Sequence, residues 1–137
     1  MGKKISNYRD SDGNKGYHFH CEGCGCAHGV FVEQAPILKD NKGNVIKGRK
    51  VPVWGFNGNE EKPTFTPSIK VQYPHLSEEG RKKADEFHKK HGRYPTQKEL
   101  PFDKNDICHS FVTDGKIRYL NDCTHHLKGQ TVELLDF

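Results

Sequence analysis

The stretch CHSFVTDGKIRYLNDCTHH, residues 108 to 126, constrains this chain more than any other. Two β-rich runs flank Asp114-Gly115, and an Asp-Gly pair suits the two-residue hairpin turn whose central residues both take positive φ. Such a turn sets the pairing: Thr113 opposite Lys116, Val112 opposite Ile117, Ser110 opposite Tyr119 and Cys108 opposite Asn121. Side chains alternate along a strand, so Cys108 shares a face with Cys123 and, where the strand continues, with His125. His109, Asp122, Thr124 and His126 fall on the other face.

A second segment, HFHCEGCGCAHG at residues 18 to 29, carries three cysteines and three histidines. Cys21-x2-Cys24 is a zinc-knuckle half-site, and zinc commonly takes four thiolate or imidazole ligands as two close pairs from different parts of a chain. The foot of the hairpin offers the other half, Cys108 with Cys123 or His125, and His28 is a further alternative for the fourth place. Cys26 reads as a thiol outside the site, and His18, His20 and His126 as surface or packed histidines. A redox Cys-x-x-Cys would call for a βαβ context, which the sequence lacks.

Composition explains why a metal would be needed. A chain of 137 residues suits one domain, but only 32% of them are hydrophobic and 29% charged, against about 45–50% and about 25% in ordinary domains. The core is therefore thin, and metals or disulfides are the usual supplement. No apolar run approaches the roughly 18 residues of a membrane span, and MGKKISNYRDSDGNKG lacks a signal-peptide core. The expectation is a cytoplasmic protein with reduced thiols and no membrane partner, which favours metal over disulfides. The net charge of +4 and pI of 8.8 lie below the footprint of a nucleic-acid domain, a pI above about 9 with one basic face. Nucleic acid is thus a weak candidate partner; a host or phage protein is the expected one.

Elsewhere the pattern alternates between short strands and turns. Ile5 and Tyr8 suit an edge strand, GVFVEQAPIL a strand, KDNKGN a turn, and VIKGRKVPVWGFNG one or two further strands ending at Asn57-Gly58. In KPTFTPSIKVQYP, Pro63, Pro67 and Pro74 predict that a strand at Ser68 to Tyr73 is short or lies at a sheet edge. LSEEGRKKADEFHKKHG predicts a helix capped by Ser77 and stopped by Gly92, with Leu76, Ala84 and Phe87 as its narrow apolar stripe. A short second helix is expected at Thr96 to Leu100. The fold class is mainly β (α+β): a small zinc-stapled single domain over residues 1–137, with residues 74–106 as a helical insertion.

Several motifs together, CxxCGCxHG, WGFNG, KPTFTPSI, CHSFVTDGKI and DCTHHLKGQTVEL, resemble small phage and prophage proteins grouped as a domain of unknown function and often labelled "ammonia monooxygenase". The likeness covers most of the chain and skips residues 74–106. Glu22 stands where that family commonly has proline, and His126 where it commonly has alanine. The family's position matching Cys123 is Cys or Ser, which implies His125 as fourth ligand. The resemblance implies a phage origin and a metal site. Its inherited label does not fit, since ammonia monooxygenase is a membrane copper enzyme and no span is present.

The resemblance also highlights Asn57, Thr64, Ser68, His109, Ser110, Asp122 and Thr124, more polar residues than a metal clip requires. Asn57, Ser68, His109 and Asp122 are the candidate binding residues. Two functions follow: a binding or regulatory module stapled by structural zinc, or a zinc-dependent hydrolase of peptidase or amidase type. In the hydrolase, His109 or Asp122 would serve as acid or base, although their face of the hairpin is opposite Cys108. A Ser68–His109–Asp122 triad is available by residue type, without the Gly-x-Ser-x-Gly elbow. Ser and Thr beside prolines are more commonly turn and cap residues.

Overall fold

Alternating apolar residues in the first third of the chain build a three-stranded antiparallel sheet in the computed structural model, which describes residues 2–137. Its strands are β1 (Ile5–Arg9), β2 (Lys15–Cys21) and β3 (Cys26–Glu33), in the order β1-β2-β3. Period two puts Tyr17, Phe19 and Cys21 of β2 on one face, all buried. Phe19 pairs with His28 and Tyr17 with Val30, so His28 and Val30 are buried on that same face. The expected edge strand at Ile5 and Tyr8 is β1. A small hairpin, β4 (Leu38–Lys39) with β5 (Val45–Lys47), follows around the KDNKGN turn. There the Asp40 carboxylate accepts the Lys42 and Asn44 amides.

A five-stranded sheet contains β6 (Gly55–Phe56), β7 (Phe65–His75), β8 (Lys104–Thr113), β9 (Lys116–Tyr119) and β10 (Thr131–Glu133), in the order β10-β9-β8-β7-β6. Asp114 and Gly115 take φ of 52° and 78°, the conformation the hairpin pair was expected to adopt. The pairing runs from Thr113↔Lys116 to Ser110↔Tyr119 as expected. It stops there, so the expected Cys108–Asn121 pair does not form: β9 ends at Tyr119 and the chain turns away.

The strand through KPTFTPSIKVQYP also departs from expectation. It is 11 residues long and lies one place in from the edge. Only Thr66 and Phe65 pair with β6, so Pro67 and Pro74 fall where β7 has a strand on one side only, and their missing donors disturb little. Facing aromatics join the two sheets. Phe65 stacks on Phe19 at 6.4 Å and on Phe56 at 5.2 Å, and Tyr17 is tilted against Phe56 and Phe65. Ile5, Phe19, Phe65, Ile69, Val112, Ile117, Tyr119 and Leu134 are buried, each contributing roughly 1.5–3 kcal/mol.

The chain divides into two compact units, Met1–Lys70 with Cys108–Phe137, and Val71–Ile107. The second holds α1 (Glu78–His91), capped as expected: the Ser77 side chain accepts the Gly80 amide and Gly92 closes the helix in the left-handed region. The Ser77 hydroxyl also donates to Asp103 at 2.6 Å. The second helix expected at Thr96 to Leu100 is instead a single turn. The Thr96 hydroxyl accepts the Glu99 amide while Glu99 accepts the Thr96 amide, a reciprocal cap with too few residues behind it to propagate a helix. Among the described residues, no helix is long and apolar enough to cross a membrane.

Candidate active site and metal centre

β2 delivers Cys21 to the inner face, and the tight Glu22–Gly25 connection to β3 returns Cys24 beneath it. The Cys24 amide donates to Cys21 Sγ at 3.4 Å, the Gly25 amide donates to Cys21 O at 2.8 Å, and Gly25 takes a φ of 70° that few other residues tolerate. Cys108 comes from β8, with its sulfur 3.7 Å from that of Cys21. His28 completes the set from β3, two ladder positions from Cys21 and therefore on its face. The donor atoms of Cys21, Cys24, His28 and Cys108 all lie within 4.8 Å of one another, a possible metal site.

Its electrostatics suit a cation. Cys21 is pulled down to about 3, first by the hydrogen bond with Cys108 and then by those with His28 and Tyr119. Cys24 is pushed up to about 12 by burial and by the adjacent Cys21 charge. Cys108 is raised too, chiefly because it gives its hydrogen bond to Cys21. Three thiols in so small a space cannot all ionise unaided, and a divalent ion is what would let them. Around the site, the Tyr119 hydroxyl lies 3.3 Å from Cys21 Sγ and accepts the Gly23 amide at 3.3 Å.

His125, expected as fourth ligand, falls instead in a second group with Cys108 and Cys123. Its Nδ1 accepts the Leu127 amide at 3.2 Å, and its Nε2 is buried. The ring packs flat over the knuckle, where a Cβ on Gly23 would collide with it. His28 was legible in the Cys21-x2-Cys24-x3-His28 spacing and in the alternation of β3. The hairpin register alone could not select it.

The other face of the β8 end carries a chain of hydrogen bonds. His109 Nε2 is 3.0 Å from Ser68 Oγ, and His109 Nδ1 is 3.1 Å from Asp122 Oδ2. Ser68 sits on β7, next to β8, and Asp122 on the turn after β9. With Nδ1–H given to Asp122, Nε2 is the acceptor for the Ser68 hydroxyl, the arrangement that activates a serine nucleophile. The His109 side chain is 23% exposed and Asp122 45%, so the assembly is open to solvent on one side. Trp54 Nε1 donates to Ser68 O at 3.2 Å and fixes the Ser68 main chain, a contact the sequence did not signal.

Asn57 is not brought to this site. Its amide donates to Lys62 O and accepts the Asn59 and Thr64 amides, organising its own loop. Thr64 Oγ1 accepts the Asp114 amide at 2.8 Å and braces the hairpin turn. His18 stacks on Tyr8 and His20 on Phe137, both as packed rings.

A family model described as a bacterial ubiquitination-like system serine protease (BubE) matches residues 2–120, a span that includes Ser68 and His109 and stops two residues short of Asp122. No curated protein and no solved structure matches the chain. A serine hydrolase geometry and a family match over most of the sequence agree: the chain belongs to the BubE family of bacterial ubiquitination-like system serine proteases.

Proposed function

We propose that this protein is a serine peptidase acting on a protein substrate of a ubiquitination-like system, with Ser68 as nucleophile, His109 as general base and acid, and Asp122 as the group that orients His109. The observation that carries this reading is the continuous Ser68–His109–Asp122 hydrogen-bond chain. Ser68 Oγ attacks the scissile carbonyl while His109 Nε2 takes its proton, and the same proton passes to the departing amine as the C–N bond breaks. Water then attacks the acyl ester, losing a proton to Nε2, and Ser68 leaves with that proton restored. Asp122 holds the imidazole in the tautomer that presents Nε2 and stabilises the charge that forms on it.

The family's chemistry fits the hydrolase alternative, with the serine in place of a metal-bound water. We assign the metal centre to zinc held by Cys21, Cys24, His28 and Cys108. Four protein donors, three of them thiols, support a closed tetrahedral site that staples the fold and leaves no position for a reacting water. The test is a fluorophosphonate probe on the full chain, with the labelled peptide identified by mass spectrometry. Modification at Ser68, lost in Ser68→Ala and in His109→Ala while folding is kept, is the expected result. Labelling elsewhere, or none, overturns the reading.

A further inference from the structure

The thiol of Cys123 does something at His109 that a β-ladder would ordinarily do. The last β8–β9 pair is Ser110↔Tyr119, and the next would be His109 with Leu120, exchanging two main-chain bonds. One of them forms, from the Leu120 amide to His109 O at 2.9 Å. The other is replaced. Leu120 O is taken by the Cys123 amide at 3.2 Å as the chain turns, which leaves the His109 amide pointing at the Cys123 side chain. Cys123 Sγ accepts that amide at 3.2 Å and donates its own proton to His109 O at 3.2 Å.

Cys123 is 4% exposed, so no water competes for these bonds, and an unmet His109 amide there would carry a desolvation cost. Cys123 also follows Asp122 directly. One thiol thus fixes the main chain of His109 and the position of the carboxylate that orients it. The bond to His109 O needs the sulfur's own proton, which a metal-bound thiolate does not have. This sets Cys123 apart from the cysteines of the metal centre.

Resting on the peptidase reading above, we propose that Cys123 is a positioning residue for the reaction, a side-chain clamp on His109 that sets its distances to Ser68 and Asp122. Misplacement of a reacting group by about 1 Å can cost on the order of 100-fold in rate. The experiment measures fluorophosphonate labelling of the full-length, metal-loaded chain at varied probe concentration, separating the maximal rate from the half-saturating concentration. Cys123→Ala should lower the maximal rate roughly 10- to 100-fold with half-saturation within about twofold of the parent, because binding does not depend on the His109 main chain. Cys123→Ser keeps a donor and an acceptor and should recover most of the rate. All variants should keep the parent's metal content.

A parental rate in the Ala variant overturns the clamp, as does a change in half-saturation alone. Metal lost from both the Ala and Ser variants makes Cys123 a ligand and overturns it too. If the Ala chain does not fold, Cys123→Val, close in volume and without hydrogen bonds, takes its place with the same expected loss. If neither apolar variant folds while Ser does, the residue serves stability only and the proposal fails. A parent chain that is never labelled at Ser68 removes the peptidase reading itself. A labelled parent with an unaffected Ala variant removes only the clamp.

Discussion

At the scale of single residues, two chemistries meet at consecutive positions. Cys108 faces the metal centre and His109 faces Ser68, because neighbouring side chains on a strand point to opposite faces. Their substitutions should therefore part company. Cys108→Ala removes one of four donors from a closed site and should lose metal and folded structure together, read by elemental analysis and circular dichroism. His109→Ala should keep the metal and unfold within a few degrees of the parent, while peptidase turnover falls by about 10⁴-fold or more. Asp122→Asn leaves the shape intact but favours the wrong imidazole tautomer, and a fall of about 10⁴-fold in kcat is expected. A metal content that drops in His109→Ala and holds in Cys108→Ala would reverse the two faces.

At the scale of elements, the capped segments behave as their local chemistry dictates. Ser77 supplies both the acceptor for the Gly80 amide and a hydroxyl for Asp103. Ser77→Ala should cost the helix about 0.5–2 kcal/mol, visible as faster amide exchange over Glu78–Arg81 with the Ser68 labelling rate unchanged. In the Thr96 turn, Glu99 is held down to about 2, from an ordinary 4.5, first by the Arg93 guanidinium and then by Thr96. A carboxylate whose folded value is depressed stabilises the folded form fully above about 4.5, and that contribution is lost as the pH falls from there towards 2. Parent and Glu99→Gln should accordingly differ in the local exchange of residues 93–100 at pH 6 and converge near pH 2. A difference that persists at pH 2 would show that Glu99 acts through something other than its charge.

At the scale of the whole molecule, the thin hydrophobic content and the thiol-rich centre belong to one argument. Few apolar side chains are fully buried, and the possible metal donors Cys21, Cys24, His28 and Cys108 bring β2, the knuckle, β3 and β8 together at one point. Binding energy at such a site is folding energy, since the unfolded chain has no site to offer. About one zinc per chain is expected, and a strong chelator should unfold the protein and abolish Ser68 labelling together. Well-folded, active protein without metal would separate the two and leave the core sufficient by itself. The Ser68–His109–Asp122 chain and the metal group both lie in the unit formed by Met1–Lys70 and Cys108–Phe137. Replacing residues 75–105 with a short Gly/Ser linker should therefore preserve metal content and probe labelling.

What the sequence determined by itself was local. The Asp114-Gly115 turn set a register that holds to Ser110↔Tyr119, because only two residues accept that geometry and pairing follows from them. Ser77 and Gly92 bounded the helix for a similar reason: a cap is a contact between near neighbours. The mainly β character and the separation of Cys108 from His109 were readable from alternation. Tertiary structure decided everything that depends on residues far apart in the chain. His125, Cys123 and His28 were comparable candidates beside Cys21, Cys24 and Cys108, and the β2–β3 register is what places His28 on the face of Cys21. Ser68 was one hydroxyl among several beside prolines until β7 was laid next to β8, 41 positions away. Asn57, which shares its residue type with many binding-site residues, was claimed by its own loop. A pattern of residue types can name the parts of a nucleophilic site. Their distances of about 3 Å arise only when strands distant in sequence are paired, because pairing, and not composition, brings the side chains together.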